Sequence, residues 1–268
     1  MTPLAKAGAA LLGGVLRRTD PLHGGDLSSI VHISLADGRE AIVKGGYASK
    51  VEAEMLKVIA ASGAPAPAVL AVSDKALVIE RLPSGGLLNA AWASLGHVLA
   101  TLHAVRGQSY GWAEDYAFGP VAIANGWMES WPCFWAERRL LMHCKHLSQP
   151  LARRIEVLAA DLSNRLPAQP SPALLHGDLW GGNVLIDRNR VSALIDPACY
   201  YGHGEVDIAM LGLFDRPSPA FYKTYGAPEP GHEKRLTVYK LWPALVHLRL
   251  FGNRYRPLVE QLLSAAGV

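Results

Sequence analysis

The chain has 268 residues, half of them apolar and 18% charged, with a formal net charge of +3 at pH 7. That balance excludes an intrinsically disordered chain and leaves enough apolar material for the core of one large or two small domains. The charge is too small for a nucleic-acid surface, and no apolar run is long enough to span a membrane. Three cysteines, Cys133, Cys144 and Cys199, form no Cys-x-x-Cys pair, which fits a reduced, cytoplasmic setting rather than a disulfide scaffold.

In chain order, Leu4, Leu11, Leu12 and Val15 recur at helical spacing. The run A7–L16 has the look of a signal-peptide core, but it ends in Arg17-Arg18-Thr19-Asp20 rather than a small-residue cleavage site, so a helix is expected. Gly24 and Gly25 follow, between helix and strand, without a G-x-G-x-x-G form. Val31, Ile33 and Leu35 alternate along a strand, Asp37-Gly38 makes a tight turn, and A41-I-V-K44 returns as a second strand. S49-K-V-E52 has the form of a capping box. It opens a helix with Val51, Met55, Val58 and Ile59 on one stripe. The Ala-Pro-rich G63–V69 breaks that helix, and two short strands follow, the second ending at Glu80.

R81-L-P-S-G-G86 reads as a hinge, and helical patterns dominate beyond it. Leu88, Trp92, Leu95, Val98, Leu99 and Leu102 form one long stripe. Segments 133–147, 151–166, 205–213 and 232–250 also read as helices, interrupted by a hairpin of V184–I186 with V191–I195 across D187–R190. There is no internal repeat. The expected fold is α+β and two-lobed: a small antiparallel β-rich lobe with one key helix at 1–82, and a larger, mostly helical lobe at 83–268, with a cleft at the hinge.

The chemistry concentrates in L174–A198. Asn183 lies five residues after Asp178, and Asp196 thirteen after Asn183, with His176 just ahead. A loop bearing Asp and Asn, followed by a hairpin that returns an Asp, gathers the groups that phosphoryl transfer needs. Asp178 is the candidate base for an attacking hydroxyl. Asn183 and Asp196 offer hard oxygen donors for Mg2+ held against nucleotide phosphates. Each residue alone would be an ordinary turn or cap residue; the set is what carries the reading. The Asp-to-Asn spacing matches the kinase pattern H-R-D-x-x-x-x-N, with Gly177 in place of Arg.

Lys44, at the end of its strand, then corresponds to the phosphate-gripping lysine of V-A-I-K. Its partner should be an acid on the next helix. Glu52 and Glu54 both flank the apolar stripe, so periodicity does not choose; the capping-box role of Glu52 favours Glu54.

H176-G-D-L-W-G-G-N183 resembles the His-Gly-Asp-Leu-Trp-Ser-Gly-Asn signature of the fructosamine kinase (ketosamine 3-kinase) family, with Gly181 in place of Ser. That family lies within the aminoglycoside-phosphotransferase and choline-kinase group of protein-kinase-like folds. W131–L140, I195–A209 and L248–Y255 resemble further segments of it, so the likeness covers nearly the whole chain. It implies ATP-dependent phosphorylation of the 3-hydroxyl of a ketosamine, whose phosphorylated form falls off its amine and so repairs glycation.

Carried onto this sequence, Asp178 is the base, Asn183 and Asp196 hold Mg2+, and Lys44, paired with Glu54, contacts phosphate. Gly24, Gly25, Glu80 and Leu82 complete the ATP site, and Trp180 lies against the sugar. Asp207 braces the loop through backbone N–H groups. Some family members carry a cysteine in the glycine-rich loop that can link subunits; G24–S29 has none, so redox-switched dimerisation is not expected. The expected partner is a small-molecule or protein-bound ketosamine, with no nucleic acid or membrane, for a monomer or weak homodimer.

Two other readings compete. A different acceptor, such as an aminoglycoside or choline-type amine, would call for an acidic C-terminal cleft, whereas Lys234, Arg235, Lys240, Arg249, Arg254 and Arg256 make that region basic. A nucleotide-binding pseudokinase would be expected to lack one of Lys44, Asp178, Asn183 and Asp196, and all four are present.

Overall fold

The computed structural model describes residues 2–22, 29–46 and 48–268. Gly24 and Gly25 therefore lie outside the described residues. Helix α1 (Pro3–Leu11) precedes strands β1 (Leu16–Leu22), β2 (Ile30–Leu35) and β3 (Glu40–Gly45). Helix α2 (Ser49–Ala61) then leads to β4 (Val69–Val72) and β5 (Ala76–Ile79). These strands form one antiparallel sheet in the order β1-β2-β3-β5-β4. The alternation read from sequence holds: Val31, Ile33 and Leu35 all point inward, and Gly38 takes φ +89° at the tight turn.

One strand goes beyond the sequence reading and two local expectations fail. The strand β1 was not foreseen, because its Arg17, Arg18 and Asp20 hide any alternation. In α1 the leucine stripe is not the buried face; Ala5, Gly8 and Ala9 are, and Val15 is 74% exposed. Small residues win there because the helix lies tight on the sheet: a Cβ on Gly8 would come within 2.4 Å of Val43. Nor does the capping box form. Ala48 is the N-cap of α2, Ser49 Oγ turns back to the Gly46 carbonyl at 2.7 Å, and the Glu52 side chain goes elsewhere.

After the 81–87 connector come α3 (Leu88–Ala104), a small hairpin of β6 (Tyr116–Phe118) and β7 (Val121–Ile123), and α4 (Trp131–Trp135). A π turn (Ala136–Leu140) and a 3₁₀ segment (Leu141–His146) stand where one continuous helix was expected. Next are α5 (Gln149–Ala160), α6 (Leu162–Arg165), β8 (Ala173–Leu175), β9 (Val184–Asp187), β10 (Arg190–Leu194) and β11 (Tyr200–Gly202). The chain closes with α7 (Glu205–Phe214), α8 (Pro219–Tyr225), α9 (His232–Phe251) and α10 (Arg256–Ala265).

The fold is thus α+β and two-lobed, a sheet-rich N-terminal part and a helical C-terminal part. One core packs α1 on the sheet, with Ile33, Ala41, Val43 and Val78 at its centre. A second surrounds Trp131, Trp135, Tyr200, Tyr239 and Trp242. A third joins the parts: Met55, Ile59 and Ala64 from and after α2 pack with Leu95, Leu99, Leu174, Leu179 and Val184. No helix among the described residues is long and apolar enough to cross a membrane.

Candidate active site

The loop between β8 and β9 carries His176, Asp178 and Asn183, and its shape is fixed from below. Gly177 has φ +81°, and a Cβ there would meet the Ala198 carbonyl oxygen at 2.0 Å, so glycine is required. Asp207 on α7 is fully buried and accepts the N–H groups of His176 (2.7 Å) and Gly177 (2.9 Å). Its other partner is His103 Nε2 at 3.1 Å, and His103 Nδ1 meets Tyr225 Oη at 2.9 Å. Burial alone would raise the Asp207 carboxyl; the hydrogen bonds from His103 and Gly177 N–H help to outweigh it and hold the group below the usual carboxylate range. The bracing geometry expected from sequence is present, while the part of His103 and Tyr225 in it was missed.

His176 is the cross-tie. Burial lowers its pKa, so it is a neutral imidazole whose Nε2 donates to the Ile195 carbonyl at 2.9 Å while Nδ1 accepts the Asp178 N–H at 3.3 Å. The Ala198 N–H donates to the His176 carbonyl at 2.9 Å. Loop and hairpin end are thereby held in one register, and Asp196 is brought opposite Asp178. Asp196 itself has φ 55°, a left-handed conformation that Asp tolerates better than most residues.

Asn183 Nδ2 donates to the Asp178 carbonyl (2.8 Å) and to Asp178 Oδ2 (3.1 Å), which leaves its Oδ1 without a donor among the described residues. Burial pushes the Asp178 carboxyl up to about 7; the charges of Asp196 and Asp207 add to this, and the Asn183 bond and Lys44 offset part of it. Part of the Asp178 surface stays open.

Lys44 reaches this cluster from β3. Its Nζ donates to Glu52 and, at 2.6 Å, to Asp196 Oδ1. Both Lys44 (7% exposed) and Glu52 (8%) are buried. Burial alone would favour neutral Lys44, but the charges of Glu52 and Asp196 outweigh it and keep the ammonium. The partner is therefore Glu52 and not Glu54, which is exposed and pairs with Lys57 at 2.7 Å. Glu52 is free for this because it makes no capping box.

Of the remaining candidates, Glu80 is exposed, and both its carboxylate (3.2 Å) and its N–H are engaged with Ala68. The Glu80 carbonyl has no donor among the described residues. Leu82 is half-buried in the connector. Trp180 is 40% exposed, folds its ring over Gly182 and meets Phe214 edge-on at 6.3 Å, unlike the buried Trp92 and Trp135. Gly181 N–H donates to Asp215 Oδ2 at 2.8 Å. A Cβ at Gly181 would press to 2.9 Å from Asp215, so this chain's glycine and the Asp215 contact belong together. Tyr116 was also missed. Its hydroxyl is held well above its ordinary value by burial and then by the charges of Glu52, Asp196 and Asp178, which puts it beside the carboxylate cluster.

A cavity of about 390 Å³ opens elsewhere, lined by His103, His203, Glu205 and Tyr225 among others, and by none of Lys44, Asp178, Asn183 and Asp196. His203, Glu205 and Glu229 cluster there, but Arg235 already pairs with both glutamates, so the cluster has its cation.

A sequence model of the fructosamine kinase family matches residues 15–266. The probable ketoamine kinase of Synechocystis sp. is 38% identical over 200 residues, 70% of this chain and 66% of that protein, so the match spans just under two thirds of the relative. The probable ketoamine kinase of Thermus thermophilus is 34% identical over 275 residues, 99% of this chain and 100% of that protein. A solved structure of a fructosamine-3-kinase candidate from Thermobifida fusca superposes with a TM-score of 0.90 at 29% identity, covering 98% of each chain. An aminoglycoside phosphotransferase, solved with AMP-PNP and hygromycin B, superposes with a TM-score of 0.67 at 19% identity over 99% of this chain and 95% of that one, which shows a shared fold.

Proposed function

The chain belongs to the fructosamine kinase family, and from that premise we propose that it transfers the γ-phosphoryl group of ATP to the 3-hydroxyl of a ketosamine. The observation that carries this is the convergence of Lys44 from β3, Asp178 and Asn183 from the β8–β9 loop, and Asp196 from the end of the β10 hairpin, three separated stretches of chain, onto one partly open cluster. Asp178 orients the acceptor hydroxyl and takes its proton as the oxygen attacks γ-phosphorus and the bond to ADP breaks. Its raised carboxyl, poised near neutrality, suits a base that must both accept and return a proton. Lys44, kept charged and aimed by Glu52, contacts the phosphates. His176, Gly177 and Asp207 hold the loop, so that little reorganisation is left for the reaction itself.

Asn183 Oδ1 and the Asp196 carboxylate, two hard oxygen donors with Asp196 partly open, suit Mg2+. When bound, that ion neutralises charge on the transferring phosphates. Trp180, exposed next to the base, offers a flat face to the sugar. Gly24, Gly25, the Glu80 carbonyl and Leu82 remain the proposed contacts to the rest of the nucleotide. A cytoplasmic setting, with no disulfide among Cys133, Cys144 and Cys199, completes the reading.

The test is ATP consumption with Mg2+ against ribulose-, erythrulose- and fructose-lysine, with mass spectrometry of the product. A mass gain of one phosphate on a ketosamine is expected; transfer to none of them sinks the proposal.

A further inference from the structure

Trp180, proposed to face the sugar, is the first of a row of rings whose other members the catalytic reading does not use. Phe214, at the end of α7 and 41% exposed, meets Trp180 at 6.3 Å between centroids and His247 on α9 at 5.0 Å. His247 in turn lies 5.5 Å from Phe251 and 5.0 Å from Tyr255, and those two lie 5.9 Å apart. Every member keeps part of its surface open. His247 belongs with the others as a ring rather than a charge: its Nδ1 is spent on the Pro243 carbonyl at 2.7 Å, and burial lowers its pKa. The row therefore presents flat, weakly polar faces leading from Trp180 to Tyr255.

Two cations stand along it, Arg254 and Lys240, with Asp215 at the Trp180 end. The Arg254 guanidinium lies over Phe251 (4.9 Å) and Tyr255 (5.3 Å) at the far end. Lys240, half-buried and one helical face with His247 and Phe251, packs against Gly212. Neither cation has a carboxylate partner among the described residues, and Asp215, the acid beside the row, is engaged by the Gly181 N–H. Partial burial lowers the Lys240 pKa, so a carboxylate placed beside it would favour its charged form.

We infer that this row is the subsite for the amine half of the ketosamine, and that it selects adducts of free apolar or aromatic α-amino acids, whose side chain lies on the rings and whose carboxylate meets Arg254 or Lys240. The inference rests on the ketosamine reading above. It follows from continuity, since the ketose on Trp180 must direct its amine substituent somewhere, and the rings begin at Trp180. It also follows from charge, since an unpaired cation beside apolar faces complements a carboxylate on an apolar body better than it does a lysine side chain on a protein surface.

The experiment compares kcat/KM for the ribulose adducts of phenylalanine, phenethylamine, glycine and Nα-acetyl-lysine. The phenylalanine adduct should lead, phenethylamine should fall behind it for want of the carboxylate, and glycine for want of the ring, each by about tenfold. Phe251→Ala should erase the phenylalanine-over-glycine ratio. Arg254→Gln, a surface change that spares the fold, should erase or reduce the phenylalanine-over-phenethylamine ratio, with Lys240→Gln removing what remains. Equal use of all four adducts, or a lead for Nα-acetyl-lysine, overturns the inference while leaving the ketosamine reading intact. Phosphorylation of no ketosamine at all brings down the reading and the inference together.

Discussion

Asp178 occupies a position that costs the folded chain stability and suits the base proposed for it. Its carboxyl is raised by burial to about 7 in the folded protein, above the value it has in an unfolded chain. The folded protein therefore holds a proton that the unfolded chain releases, so this group's favourable contribution is complete at low pH and lost as pH climbs towards about 7. Removing the charge should relieve that penalty. Asp178→Asn, studied without nucleotide or Mg2+, should melt about 2–4 °C above the native protein at pH 8, on a scale of 2–4 °C per kcal/mol for a chain of this size. The gap should shrink as pH falls from 7 to 4. The same substitution should lower kcat by about 10²- to 10⁴-fold if Asp178 is the general base. A variant that is slower but not more stable at pH 8 would show that the carboxyl is not strained by burial. Glu52 and Glu54 give a second residue-level contrast. Glu52→Gln weakens a buried ion pair with Lys44 and should cost about 1–3 kcal/mol with a higher KM for ATP, whereas Glu54→Gln on the surface should change stability by less than about 0.5 kcal/mol. Equal effects of the two would reverse the assignment.

Elements differ in how much of themselves they show in sequence. The β2–β3 hairpin was legible because alternation and an Asp-Gly turn agree, and the gathering of Asp178 and Asn183 on the β8–β9 loop because both lie in one short, local segment. The acid that pairs with Lys44 was not legible: Ser49-x-x-Glu52 satisfies a capping pattern, but Ser49 bonds backwards to Gly46, and only tertiary packing turns Glu52 to the lysine. The Trp180–Phe214–His247 row was likewise out of reach, since three elements far apart in sequence build it. The π turn after α4 is a further case. Its extra residue per turn leaves Arg139 fully buried, with Nη1 donating to the Ala124 carbonyl (2.7 Å), Nη2 to Asn125 Oδ1 (2.7 Å), and the guanidinium over the rings of Phe134, Tyr200 and Trp242 at 4.1–4.8 Å. A helical pattern carries no sign of that cage. Arg139→Met keeps most of the volume but leaves the Ala124 carbonyl and the buried Asn125 Oδ1 without this donor, and should cost about 2–4 kcal/mol, or roughly 4–16 °C in a thermal scan. An unchanged melting temperature would mean that the cage contributes packing alone.

At the scale of the molecule, the connector at 81–87 marks where composition changes, but the physical ties run across it. The Leu194 N–H donates to the Pro65 carbonyl at 2.8 Å, the Gly86 N–H to the Ile186 carbonyl at 2.9 Å, and the Cys199 N–H reaches Met55 Sδ at 3.3 Å. Lys44 meets Asp196 across a separation of 152 residues. Met55, from α2, is fully buried in the same apolar cluster as Leu174 and Leu179 on either side of His176. Shared burial of this kind couples the stability of the two parts, so the chain should unfold in one step. All seven tryptophans lie beyond residue 82, at 92, 112, 127, 131, 135, 180 and 242, so their fluorescence reports the helical part alone. Met55→Ala empties a site in the sheet-bearing part and should cost about 2–5 kcal/mol. If coupling holds, the tryptophan fluorescence midpoint should fall with the far-ultraviolet circular dichroism midpoint, by about 5–15 °C at 2–4 °C per kcal/mol. If α2 were only an appendage of the sheet, the dichroism transition would broaden or split while the fluorescence midpoint stayed where it is in the native protein. The same coupling gives Asp196 its place: it is held by Lys44 from one part and by the β10 hairpin from the other, so the site forms only when both have folded.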